Sequence, residues 1–158
     1  MARWQDIADA EPQFAAEVRA RFDAHRHKTM ATIRADGSPR ISGIEVTFSD
    51  GDVWIGSMKG ARKGADLLRD PRLALHCSSE DPPEDPTKWT GDAKLAGRAE
   101  LVRDPQRLAS MGEGGDGSGD LFRIEVTEVV LTRVGTPPDH LLIETWIEGR
   151  GLSSIKRY

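Results

Sequence analysis

Apolar positions recur every four residues near the start of the chain and then shift to strand-like runs. Phe14, Val18 and Phe22 lie at i, i+4 and i+8, which predicts a helix from Pro12 to near residue 26 with one apolar stripe. Residues 4–10 carry few structural signals and read as a lead-in. Residues 29–34 and 40–48 read as strands joined by Ala35-Asp36-Gly37-Ser38, since Asp-Gly between such runs favours a hairpin. In the second run Ser42, Ile44, Val46 and Phe48 alternate with Ile41, Gly43, Glu45 and Thr47. Ser49-Asp50-Gly51-Asp52 makes a turn into a third strand, 53–58. A helix over 61–69 would place Ala61, Ala65 and Leu68 on one face. It ends at Asp70-Pro71, because the residue before proline disfavours helix. Residues 72–79 form a fourth strand.

Beyond it, 80–86 is acidic and proline-rich, a loop by composition, and Trp89 closes it. Trp89 suits a pocket wall, a subunit contact or core packing. Residues 92–102 read as a long strand, and Asp104-Pro105 opens a short helix to near Met111. Residues 112–119 hold five glycines and form a flexible loop, either a lid or a plain crossover. No Gly-Lys-Ser/Thr follows, so it is no phosphate loop. Strands at 121–126, 129–134 and 141–147 follow, broken by Pro137-Pro138, and 149–158 is a tail. Short strands with regular turn signals predict a mainly β protein, a barrel or sandwich with flanking helices. At 158 residues a single domain, 1–158, is expected.

Composition narrows the function classes. A net charge of −4 argues against nucleic-acid binding by bulk charge. No apolar run reaches membrane-spanning length. The first residues show no secretory h-region, and a single cysteine excludes an internal disulfide, so a cytoplasmic location is expected. Four scattered histidines and one cysteine give no metal-ligand spacing. His76 and Cys77 are adjacent on a strand, point to opposite faces and form no dyad. His140 is isolated. No nucleophile–base grouping stands out, which argues against a hydrolase, and no catalytic residue is assigned.

The chemistry concentrates where the third strand meets the central helix. Lys59, Arg62 and Lys63 crowd that helix's N-terminus, where cations oppose the positive end of the dipole. An anion resolves the conflict, because free N–H groups and cationic side chains both favour it. Ser57 adds a hydroxyl donor, Lys59 a mobile point charge and Arg62 a planar fork. A solvated basic turn is the alternative. Gly56 removes a side chain where a flat ring could approach the backbone; a bulge explains it equally well.

The order hairpin, strand, Ser57-Met58-Lys59-Gly60-Ala61-Arg62-Lys63, helix, Asp70-Pro71-Arg72, strand resembles the pyridoxamine-phosphate-oxidase-like split barrels. The resemblance runs from about residue 29 to 134. It implies a six- to eight-stranded antiparallel barrel, a homodimer, and FMN or the deazaflavin F420 at the dimer interface. It places Arg62 and Lys63 on the cofactor phosphate, Arg40 and Ser42 near the ring and ribityl chain, and Met58 beside the ring. Together with Ser57, Lys59 and Trp89 these are the expected cofactor-binding residues. The implied activity is hydride transfer to or from a small organic substrate; the cofactor performs that chemistry and the protein positions it. A flavin-storage protein and an interaction barrel without cofactor are the alternatives. Two departures argue against vitamin B6 oxidation. Glu45 stands where the oxidases proper carry a cation for their phosphorylated substrate, and Gly149-Arg150-Gly151-Leu152 replaces their R-x-H-D-R-type signature. The family includes haem-handling members, but their histidine has no match here.

Overall fold

The computed structural model describes residues 2–111 and 118–158. Among the described residues nine antiparallel strands form one sheet: β1 (Lys28–Ile33), β2 (Pro39–Ile44), β3 (Val46–Ser49), β4 (Asp52–Met58), β5 (Arg72–His76), β6 (Asp92–Val102), β7 (Gly119–Val134), β8 (Leu141–Ile147) and β9 (Gly151–Arg157). The helices are α1 (Trp4–Ala10), α2 (Pro12–Asp23), α3 (Arg62–Arg69) and α4 (Pro105–Met111). The strand order is β2-β1-β5-β6-β7-β4-β3, with β8 on β7 and β9 on β8.

The two ends of that order, β2 and β3, are consecutive in the chain and separated only by Glu45. The expected single strand over 40–48 therefore breaks at Glu45, where the backbone passes from one edge of the sheet to the other. The edges are joined covalently but not by a hydrogen-bonded ladder. This is the split of a split barrel. The interior is filled by Met30, Ile44, Val46, Phe48, Val53, Ile55, Leu75, Leu95, Phe122 and Ile124. The α2 stripe of Phe14, Val18 and Phe22 is buried against it, and the Phe22 and Phe48 rings stand 5.7 Å apart.

Several expectations need correction. The lead-in is a helix: Trp4 and Ile7 of α1 are buried, Trp4 edge-on to Phe48 at 4.8 Å. Only two apolar residues at i, i+3 marked it. The tail holds β9, a strand whose outer residues face solvent and so lack a strong apolar alternation. Gly149 and Gly151, with φ of 78° and 80°, turn the chain into it. Eight strands, β1 to β8, fall within the expected span to residue 147, and β9 is added beyond it. The strands at 121–126 and 129–134 are one, because a bulge rather than a turn separates them. Ala96 opposes Glu128 while Gly97 opposes Val126, so Thr127 is unopposed. The buried set accordingly shifts phase from Phe122, Ile124 and Val126 to Val129 and Leu131. Residues 112–117 of the glycine-rich loop lie outside the described residues.

The buried face of α3 also differs from expectation. Gly64, Asp66 and Leu67 are buried, whereas Ala65 is exposed and Leu68 is 56% exposed. Polar anchoring and close approach dock this helix, not maximal apolar burial. Asp66 accepts from Thr32 Oγ1 at 2.7 Å and from Arg40 Nε at 2.6 Å, and Gly64 meets β4 without a side chain. In this way α3, packed on β1 and β4, spans the two halves of the split.

Candidate functional site

Strand alternation divides the neighbourhood of α3 into an inner and an outer face. Val53, Ile55 and Ser57 of β4 point inward; Trp54, Gly56 and Met58 point outward. On β2 and β3, Arg40, Ser42 and Ile44 oppose the buried Thr32, Met30 and Lys28 and share their inner face. Gly43, Glu45 and Thr47 lie on the outer face. There a cleft of about 470 Å³ opens beside the crossing at Glu45. Gly43, Glu45, Thr47, Trp54, Gly56 and Met58 line it, with Lys63, Met111, Leu121 and His27 around them. Gly43 leaves open space above its backbone. Trp54 is the back wall, 3% exposed, with its indole N–H donated to Ser49 O and the Arg107 guanidinium over its ring at 4.8 Å.

The cleft meets the helix N-terminus at Lys63, whose Nζ donates to Gly43 O at 2.8 Å. The cap residue of α3, Ala61, offers no side-chain acceptor. The side chains of Lys59 and Arg62 are exposed and make no hydrogen bond or ion pair among the described residues. Beneath the first turn Ser57 is 3% exposed and its Oγ has no hydrogen-bond partner among the described residues. A Cβ on Gly64 would lie 2.7 Å from that oxygen. Among the described residues the first turn of α3 thus has unpaired N–H groups, two free cations and an orphaned buried hydroxyl, a donor set that suits an anionic group.

The eight expected cofactor residues are distributed as follows. Met58 and Lys63 line the cleft, and Met58 is 77% exposed. Ser57, Lys59 and Arg62 gather with Lys63 at the α3 N-terminus. Arg40 and the half-buried Ser42 are on the inner face, off the cleft lining. The Arg40 side chain is 17% exposed and is held through Nε by Asp66, whose carboxyl is lowered to about 2 chiefly by that bond, with Thr32 and Arg69 assisting and burial opposing. Trp89 is half-buried in the loop between β5 and β6, its indole N–H donated to Glu80 O at 3.1 Å, outside both the core and the cleft lining. Glu45, at the cleft, pairs with Arg26 at 2.9 Å, and His27 stands 3.7 Å from it.

Sequence reasoning missed Gly64, Asp66 and Asp120. A glycine three residues into a helix costs about 1 kcal/mol relative to alanine, which was a usable signal for close packing. Asp120 opposes Ser57 on β7 and had no local signal, because the pairing spans the glycine-rich segment. Away from the site, burial raises the Cys77 thiol, as an inert core cysteine requires. Among the described residues no group of three potential ligands could hold a metal ion, and no helix is long and apolar enough to cross a membrane.

A split barrel with a cleft against a cationic helix N-terminus defines the class. Residues 14–133 match the family model described as pyridoxamine 5'-phosphate oxidase, and the chain belongs to that family. Solved structures share the fold. PhzG from Burkholderia lata 383, in complex with tetrahydrophenazine-1-carboxylic acid, is 13% identical with a TM-score of 0.62, over 97% of this chain and 92% of that one. A putative pyridoxamine 5'-phosphate oxidase from Listeria innocua is 14% identical with a TM-score of 0.59, over 73% and 95%. A heme binding protein from Mycobacterium smegmatis is 17% identical with a TM-score of 0.57, over 90% and 87%. At these identities the likeness is one of fold. No curated protein matches the chain.

Proposed function

We propose that this protein is a flavin- or deazaflavin-dependent oxidoreductase that binds FMN or F420 and acts on a small organic substrate. The observation that carries the reading is the Ser57 hydroxyl beneath the α3 N-terminus, flanked by Lys59 and Arg62, all three without side-chain partners among the described residues. A buried hydroxyl without a partner costs about 1–3 kcal/mol, so such a group calls for an occupant. The residues fit a phosphate-bearing cofactor. Ser57, Arg62, Lys59 and Lys63 would hold the phosphate, and the outer cleft with its bare Gly43 and Gly56 would accept a flat ring. When bound, the cofactor supplies hydride chemistry that no side-chain dyad here offers. The chain's own part is positional. Lys63 ties the helix turn to β2, Trp54 excludes water from the back of the cleft, and Glu45 presents a carboxylate at the cleft beside the crossing.

The protein acts as a homodimer in this reading. Ile41 and Met58, 75% and 77% exposed, are apolar groups near the cleft that a second copy would cover. Sedimentation at micromolar concentration with cofactor present is expected to give a dimer; a monomer refutes it.

The central test is Arg62→Ala. Charge-assisted hydrogen bonds contribute about 1.5–3 kcal/mol each, so cofactor affinity should fall about ten- to a hundredfold. Thermal melting of the apo-protein should stay unchanged or rise, since the lost cation stood at the wrong end of a helix. Unchanged affinity would refute the phosphate assignment.

A further inference from the structure

Three groups converge under the first turn of α3. The point where a Gly64 Cβ would stand is 2.7 Å from Ser57 Oγ and 3.8 Å from the Asp120 carboxylate oxygen Oδ2. Ser57 and Asp120 oppose each other directly on β4 and β7, so their side chains share the inner face. Ser57 is more than nine-tenths buried and unpartnered among the described residues. Asp120 is half-buried, and no hydrogen bond or ion pair engages its carboxylate among the described residues. A fixed negative charge therefore stands where the helix N-terminus, Lys59 and Arg62 invite an anion.

Resting on the phosphate-site reading above, we propose that Asp120 is a charge filter that shifts this site toward a singly charged phosphodiester and away from a doubly charged phosphate monoester. Arg62, Lys59 and the helix N–H groups attract either ligand. Asp120 repels each negative charge on it, and a partly buried carboxylate is poorly screened by salt. FMN ends in a monoester that carries close to two charges at neutral pH. F420 passes through a phosphodiester that carries one, and the carboxylates of its tail lie further along the chain. Asp120 therefore moves the balance from FMN toward F420, and it does so without touching the ring.

The experiment titrates apo-protein with FMN and with F420 at fixed ionic strength, following tryptophan fluorescence, for wild type, Asp120→Asn, Asp120→Ser and Arg62→Ala. Either Asp120 variant should strengthen FMN binding about tenfold and F420 binding only about threefold, since the repulsion scales with ligand charge, with apo thermal melting confirming that each variant folds. Equal changes for both ligands, or no change for either, would overturn the filter. If Arg62→Ala leaves both affinities unchanged, the phosphate-site reading itself fails. If Arg62→Ala weakens both and the Asp120 variants leave their ratio fixed, that reading stands and the filter falls.

Discussion

The two ends of α3 differ in how completely the protein satisfies them. Toward the C-terminal end the buried Asp66 accepts from Arg40, Thr32 and Arg69, and Arg69 also donates to Ile33 O at 2.6 Å. Asp70 then pairs with Arg72 at 2.6 Å. Every charge there has a partner within the chain. At the N-terminal end Ser57 Oγ has none, and neither do the side chains of Lys59 and Arg62 among the described residues. Buried polar groups are normally paired, and cations disfavour a helix N-terminus. One end of an eight-residue helix is therefore complete by itself, and the other has polar groups without partners among the described residues. Polar residues at the first end build the fold, and the proposed function assigns those at the second to a ligand.

The largest expected effect breaks the completed end. Asp66→Ala leaves Arg40, 17% exposed, without its counter-charge and frees Thr32. Removing one partner of a buried pair costs about 3–5 kcal/mol, so the variant should lose stability on that scale in denaturant unfolding of the apo-protein. A loss below about 1 kcal/mol would make the two ends alike.

The same network predicts an acid limb. The folded pKa of Asp66, about 2, lies below its ordinary 3.8, so its stabilising contribution is present above pH 4 and is lost as pH falls toward 2. Asp70, held down by Arg72, titrates in the same direction. Thermal melting between pH 5 and 2 should therefore fall more steeply for wild type than for Asp66→Asn; parallel curves would contradict the assignment.

At the incomplete end the effects move from stability to affinity. Gly64→Ala adds a Cβ 2.7 Å from Ser57 Oγ and 3.3 Å from Ser57 Cβ, which forces the hydroxyl out of its seat. Alanine's helix propensity recovers about 1 kcal/mol, so apo stability should change little while cofactor affinity drops severalfold. The smallest effect on stability is expected for Ser57→Ala. Deleting an unpaired buried hydroxyl should leave the apo melting temperature unchanged or slightly higher, with a severalfold loss of affinity. A destabilisation above about 1 kcal/mol would show that Ser57 already has a structural partner.

The sequence by itself determined the local elements that its own chemistry dictates. Asp36-Gly37 specified the β1–β2 hairpin, and Asp70-Pro71 ended α3. The long run at 92–102 became β6 with the bounds expected. The cations at the start of α3 were legible because a helix dipole gives their position a sign. Features that depend on closure were not legible. Strand parity shows that Ser57 and Met58 point to opposite faces, but only the closed sheet decides which face is interior. The crossing at Glu45 exists because β2 and β3 end on opposite edges. The bulge at Thr127 exists because β6 and β7 must stay paired across it, and the phase slip it causes mimics a turn in the sequence. Asp66 with Arg40, and Ser57 with Asp120, are separated by 26 and 63 positions along the chain, and no local propensity links them. Hydrophobic pattern and turn chemistry are short-range properties of the backbone. Which polar groups become partners, and which stay without one, depends on the long-range register of the sheet.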